Sequence, residues 1–150
     1  MRMEKIRMTI LSEKNKAVAL RFARDGWGTQ SNWERVWDDV MSDQVVYHFN
    51  STAEPMIGLE ANKEFNQSLF QGFPDIHQTI GDILAEGDKV VYRTTLQGTH
   101  TGDFLGTPPT GKAVQVNDFT LLRITDGQIV EWWYECNLLE VMQQLGLVEA

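Results

Sequence analysis

Helical patterns early in the chain, followed by strands in hairpin order, predict an α+β fold with helices packed on one face of a curved antiparallel sheet. Two observations carry this reading. Trp33, Val36, Trp37 and Val40 recur at helical spacing. Val114–Ile124, by contrast, alternates like a strand, turns at Asp126-Gly127 and returns as Ile129–Tyr134, and an Asp-Gly pair between such runs is a strong hairpin signal. At 150 residues the chain is most simply one domain, 1–150, able to bury about two-thirds of its unfolded surface.

Residues 1–11 read as a loosely structured lead-in. Ala17, Val18, Leu20, Phe22 and Ala23 suit a helix from Ser12 to about Arg24, closed by Asp25-Gly26. Ser31 followed by Glu34 has the form of a capping box for the next helix. Gln44–Asn50 reads as a strand, Ser51–Pro55 as a loop, and Gly58–Gln71 as a helix stopped by Gly72 and Pro74. Asp75–Leu84 and Lys89–Thr99 read as strands joined by a turn at Glu86-Gly87-Asp88. The last helix, Leu138–Leu145, has Asn137 as its cap, Glu140 three residues on, and Gly146 as its stop.

Thirteen basic against twenty-one acidic side chains give a net charge of −8, with no basic patch. That balance argues against nucleic acid or an anionic membrane as a partner. The single cysteine, Cys136, leaves no intramolecular disulfide and no cysteine-rich zinc site. The stretch MRMEKIRMTILSEKNK reads as neither signal peptide nor anchor. A soluble, cytoplasmic protein is expected.

Alternation singles out one residue. Val114, Val116, Asp118, Thr120, Leu122 and Ile124 share a strand face, and Asp118 sits in the middle of that mainly apolar row. A carboxylate there must be paired with a neighbour such as Arg93, neutralised by a raised pKa, or used. Val91, Arg93, Thr95 and Gln97 share one face of their strand, opposite Val90, Tyr92, Thr94 and Leu96. On the last strand, Trp132 and Tyr134 face the pocket side while Glu131 and Trp133 face away. The spacing of Gly98, Gly102, Gly106 and Gly111 fits no nucleotide-binding loop, and His48, His77 and His100 lack metal-ligand spacing.

The motifs GTHTGDFLGTPPTGK, DGQIVEWW and QQLG, in this order between Trp33 and Leu147, resemble the SnoaL-like polyketide cyclases, or ester cyclases, of the NTF2-like superfamily. That resemblance implies a cone-shaped α+β barrel with a hydrophobic pocket between the helices and the concave sheet. It also implies cofactor-free, metal-free aldol cyclisation, with an aspartate on the final strand as acid/base. Here that position is Tyr134, and a second acidic position common in the family is Asn137. The family's polar positions on the preceding strand fall at Asp118 and Thr120, and the histidine of its GTH motif at His100. Family members commonly form homodimers through the sheet.

These departures direct the catalytic expectation to Asp118 as base and Tyr134 as donor to an oxyanion. An aspartate base with a tyrosine donor also resembles ketosteroid isomerase, another NTF2-like enzyme. Thr120, Arg93, His48, Trp132 and His100 are the candidate substrate-binding residues. The leading expectation is a cyclase or isomerase acting on a hydrophobic carbonyl compound through an enolate. The alternatives are a non-catalytic binding protein on the same scaffold and an epoxide-hydrolase-like enzyme. The latter needs an Asp-Arg-Asp network, whereas the strand here reads Arg93-Thr94-Thr95.

Overall fold

The computed structural model describes residues 1–50 and 54–150; most of the loop expected at Ser51–Pro55, namely 51–53, lies outside the described residues. Four helices, α1 (Arg2–Asp25), α2 (Trp33–Val40), α3 (Leu59–Gly72) and α4 (Leu138–Gln144), accompany six strands. The strands are β1 (Met41–Phe49), β2 (Met56–Ile57), β3 (His77–Glu86), β4 (Lys89–Thr99), β5 (Ala113–Thr125) and β6 (Gln128–Cys136). They form one sheet in the order β2-β1-β6-β5-β4-β3. Every neighbouring pair is antiparallel except β1 with β6, which run parallel.

Period-two alternation decides which side chains the sheet buries. Val90, Tyr92, Thr94 and Leu96 of β4, and Val114, Val116, Asp118, Thr120, Leu122 and Ile124 of β5, all point to the covered face. On that face the sheet meets an aromatic cluster drawn from distant parts of the chain. Trp132 stacks on Tyr47 at 4.0 Å and meets Phe22, Trp37 and Trp27 edge-on. Phe70 of α3 closes the group against Trp27 and Trp33. Burying each ring stabilises the fold by about 1.5–3 kcal/mol, so this cluster holds the helices to the sheet.

Two local expectations are corrected. α1 already starts at Arg2, so residues 2–11 are helical rather than a loose lead-in. Their apolar side chains, Met3, Ile6 and Ile10 among them, are exposed, so no core-facing stripe marks this stretch as helix in the sequence. The Ser31–Glu34 capping box does not form: Asn32 holds the N-cap position of α2 without a side-chain capping bond, and the Ser31 hydroxyl is shared between the carbonyls of Trp27 and Gly28 at 2.9 and 2.8 Å. The Asn137 cap of α4 is present, its Oδ1 accepting from the Glu140 N–H at 3.1 Å.

The loop between β4 and β5 lies against the end of α3 at a glycine pair. Thr101 and Gly102 both donate their N–H groups to the Gly72 carbonyl at 3.1 Å. A Cβ on Gly102 would lie 2.1 Å from the Gln71 carbonyl oxygen. Gly102→Ala is therefore expected to lower stability by about 1–3 kcal/mol through overpacking, as measured by denaturant unfolding. An unchanged midpoint would show that the loop does not depend on this contact.

Candidate functional site

Asp118 is 1% exposed, at the middle of the inner face of β5. Its Oδ2 accepts a 2.6 Å hydrogen bond from the Tyr134 hydroxyl and a 3.1 Å bond from Gln78 Nε2. Among the described residues no cation pairs with it: Arg93 lies on the outer face of β4 and bonds Asp82 at 2.8 Å. Burial pushes the Asp118 carboxyl up to about 6, and the bonds from Tyr134 and Gln78 keep it from rising further. Burial, with the Asp118 charge beside it, raises the Tyr134 phenol well above its ordinary value. Tyr134 is therefore a hydrogen-bond donor at neutral pH.

The surroundings of the carboxylate are polar but under-bonded. Asp118 Oδ1 is buried without a hydrogen-bond partner among the described residues, as is the hydroxyl of Thr94, its register neighbour on β4. Tyr92 and Thr120 face each other across the same strand pair, and their hydroxyls stop short of a well-formed hydrogen bond. Buried polar groups in this condition are a common feature of ligand and catalytic sites.

Tyr134 connects this polar row to an apolar cavity. Two adjoining lobes, of about 70 and 60 Å³, share Phe49, Leu69, Phe104, Tyr134 and Leu138 in their walls. Trp27 and Phe65 extend the first lobe; Leu96 and Cys136 extend the second. Tyr134 thus lines the cavity while its hydroxyl reaches inward to Asp118. Wider depressions, of about 640 and 730 Å³, lie near Asp75 and Gln97 and beside the β3–β4 turn. Neither has Tyr134 in its wall, so of these cavities the small one lies nearest the Asp118–Tyr134 bond.

The structure brings together only some of the residues singled out in the sequence. Asp118, Tyr134 and Thr120 converge on the covered face. Trp132 is fully buried on that face but belongs to the aromatic cluster instead of the cavity wall. Three expectations of substrate contact are corrected. Arg93 faces outward to Asp82. His48 also faces outward, stacked on Trp133 and 2.7 Å from Glu131, which Arg123 holds from its other side. His100 is buried against Phe73, where its Nδ1 accepts from the Thr110 N–H and so pins the β4–β5 loop. Sequence reasoning missed Gln78, Phe49 and Phe104. For Gln78 the signal was its alternation with Ile76, just before β3, and Ile80 within it.

The family model for SnoaL-like polyketide cyclases matches residues 17–145. The chain belongs to this family. Its fold is the NTF2-like one shared with solved family members. A candidate SnoaL-like polyketide cyclase from Jannaschia sp. CCS1 is 36% identical, with a TM-score of 0.86 over 92% of this chain and 95% of that one. AclR, a candidate hydroxylase from Streptomyces galilaeus, is 25% identical (TM-score 0.80, 93% and 85% covered). IdmH, a candidate polyketide cyclase from Streptomyces antibioticus, is 26% identical (TM-score 0.75, 88% and 98% covered). No curated protein matches the chain. Among the described residues no helix is long and apolar enough to cross a membrane.

For this SnoaL-like chain the raised Asp118 pKa has a definite sign in stability. The folded value, about 6, lies above the ordinary 3.8, so folding favours the protonated acid. The associated stabilisation is complete below pH about 4 and is lost as pH rises through about 6. Relative to Asp118→Asn, the wild type should therefore lose up to roughly 3 kcal/mol between those limits. Paired urea titrations across this range measure it; parallel stability curves would contradict the raised value.

Proposed function

We propose that this SnoaL-like protein binds a hydrophobic carbonyl compound in the cavity beside Tyr134 and enolises it without a cofactor. The observation that carries this reading is the buried hydrogen bond between Asp118 and Tyr134, an acid/base group beside a neutral donor, with Tyr134 itself in the cavity wall. With its pKa near 6, Asp118 is mostly ionised at neutral pH and basic enough to take a proton next to a carbonyl. Its Oδ1 has no other partner to give up among the described residues.

In this mechanism the substrate displaces the Tyr134 hydroxyl from Oδ2. The C–H bond beside the carbonyl breaks and its proton passes to the Asp118 carboxylate. The electron pair becomes the enolate double bond, and negative charge collects on oxygen. Tyr134 donates its hydrogen bond to that oxygen, in a site where low dielectric makes such a bond strong. Thr94 and Thr120 supply further hydroxyls on the carboxylate side. The enolate carbon then attacks a second carbonyl within the same molecule, whose oxygen takes the proton back from Asp118, giving cyclisation; or the enolate takes that proton at another carbon, giving isomerisation.

The test is exchange of the proton next to the carbonyl of 2-cyclohexenone in D₂O, followed by NMR. The wild type should catalyse it with a rate that rises through an apparent pKa near 6. Asp118→Asn should lose about 10²–10⁴-fold, and Tyr134→Phe a smaller factor. If Asp118→Asn folds and exchanges at the wild-type rate, the base is elsewhere. Binding without exchange in the wild type would favour the non-catalytic reading.

We also propose that the outer sheet face seats a second copy of the chain. Leu84, Val91 and Phe119 expose apolar surface there, Phe119 at 55%, and a patch of this kind marks an interface. Sedimentation should give a dimer for the wild type and a monomer for Phe119→Glu; a monomeric wild type would refute the proposal.

A further inference from the structure

Much of the covered side of the sheet is occupied by the protein's own rings. Trp27, Trp37, Trp132, Phe22, Phe70 and Tyr47 are all buried on the covered side of the sheet, with ring centroids 4.0 to 6.3 Å apart where they meet. Most of them are carried by α1, α2, α3, β1 and β6. All but Tyr47, which meets only Trp132 of this group, touch two or more of the others, and the Trp37 indole N–H also donates to the Gly26 carbonyl at 2.8 Å. Room lost to this cluster is therefore not recovered by moving one loop.

What remains is the cavity at Tyr134, with lobes of about 70 and 60 Å³. For comparison, an apolar cavity of about 150 Å³ accommodates benzene, and pockets for larger drug-sized molecules run from about 300 Å³ upwards. Even taken together the two lobes approach only the first of these. Their walls are almost wholly apolar, with the Tyr134 phenol at the side nearest Asp118.

From this we infer that the ligand is a single-ring or short-chain apolar carbonyl compound, and that fused polycyclic ketones are excluded by the wall of Trp27, Phe49 and Phe104. The inference rests on the reading above that the Tyr134 cavity is the ligand site. It adds the size class. Phe49 and Leu69 then act as specificity-determining residues, because each lines both lobes.

The experiment measures binding, so it does not depend on turnover. The full chain is titrated with 2-cyclohexenone, 1-tetralone and anthrone, which have one, two and three rings, and binding is followed by ligand-observed NMR. The one-ring ketone should bind, and anthrone at least about tenfold more weakly. Phe49→Ala, or Leu69→Ala if the first variant does not fold, should improve tetralone binding relative to cyclohexenone. Anthrone binding to the wild type as tightly as cyclohexenone overturns the size limit. So does failure of cyclohexenone to bind. Cyclohexenone that binds but exchanges no proton leaves the size class standing and removes the acid/base reading alone.

Discussion

The stacking of Tyr47 on Trp132, at the seam between β1 and β6, is the contact on which the rest of the molecule depends. Around it gather Phe22 from α1, Trp37 from α2 and Trp27 from the connection between them. The same cluster performs three tasks. It supplies much of the burial that holds the helices to the sheet, it keeps water from the inner face of β5, and it sets how much of the cone stays open. Stability, electrostatics and cavity size are thus consequences of one set of ring contacts.

Asp118 illustrates how these consequences join. A buried carboxylate without a cation is costly when charged, and here the cost is moderated by two neutral donors, Tyr134 and Gln78. Neutral donors leave the group titratable near physiological pH, where an arginine partner would have kept it charged. The position at which family resemblance places an acidic residue on β6 carries Tyr134, and the acid stands on β5 beside it. The pair therefore spans two hydrogen-bonded strands, and its geometry is fixed by sheet register more than by any loop.

Much of this was legible in the sequence because it follows from short-range rules. Alternation on β5 put Asp118 and Thr120 on one apolar row, Asp126-Gly127 marked the β5–β6 turn, and Asn137 marked the start of α4. The misreadings have a common physical origin. Alternation divides a strand into two faces without saying which is covered, so His48 and Arg93 were expected beside the ligand although both lie outside. The outer face has its own chemistry there: Glu131, held between His48 and Arg123, keeps its carboxyl below the ordinary range, because those bonds together outweigh the opposing effect of burial. Gln78 was invisible for another reason, since its importance comes only from an Asp118 placed two strands away in the sheet. The helical start of α1 escaped because its exposed apolar residues form no core-facing stripe.

The parallel pairing of β1 with β6 has a bearing on how the molecule comes into being. Phe49 and Tyr134 are register partners whose stacked rings both line the same cavity, yet nearly the whole sheet is synthesised between them. The hairpins β3–β4 and β5–β6 need only local closure, whereas β1 must wait for a strand near the other end of the chain. Contacts of such long sequence separation are made late, after much loop entropy has been surrendered. The cavity beside Tyr134 thus needs β6 in place before it can form, and a nascent chain lacking β6 has α1, α2 and β1 with no Trp132 to receive them. Its exposed rings would then be a hazard for aggregation until synthesis is complete.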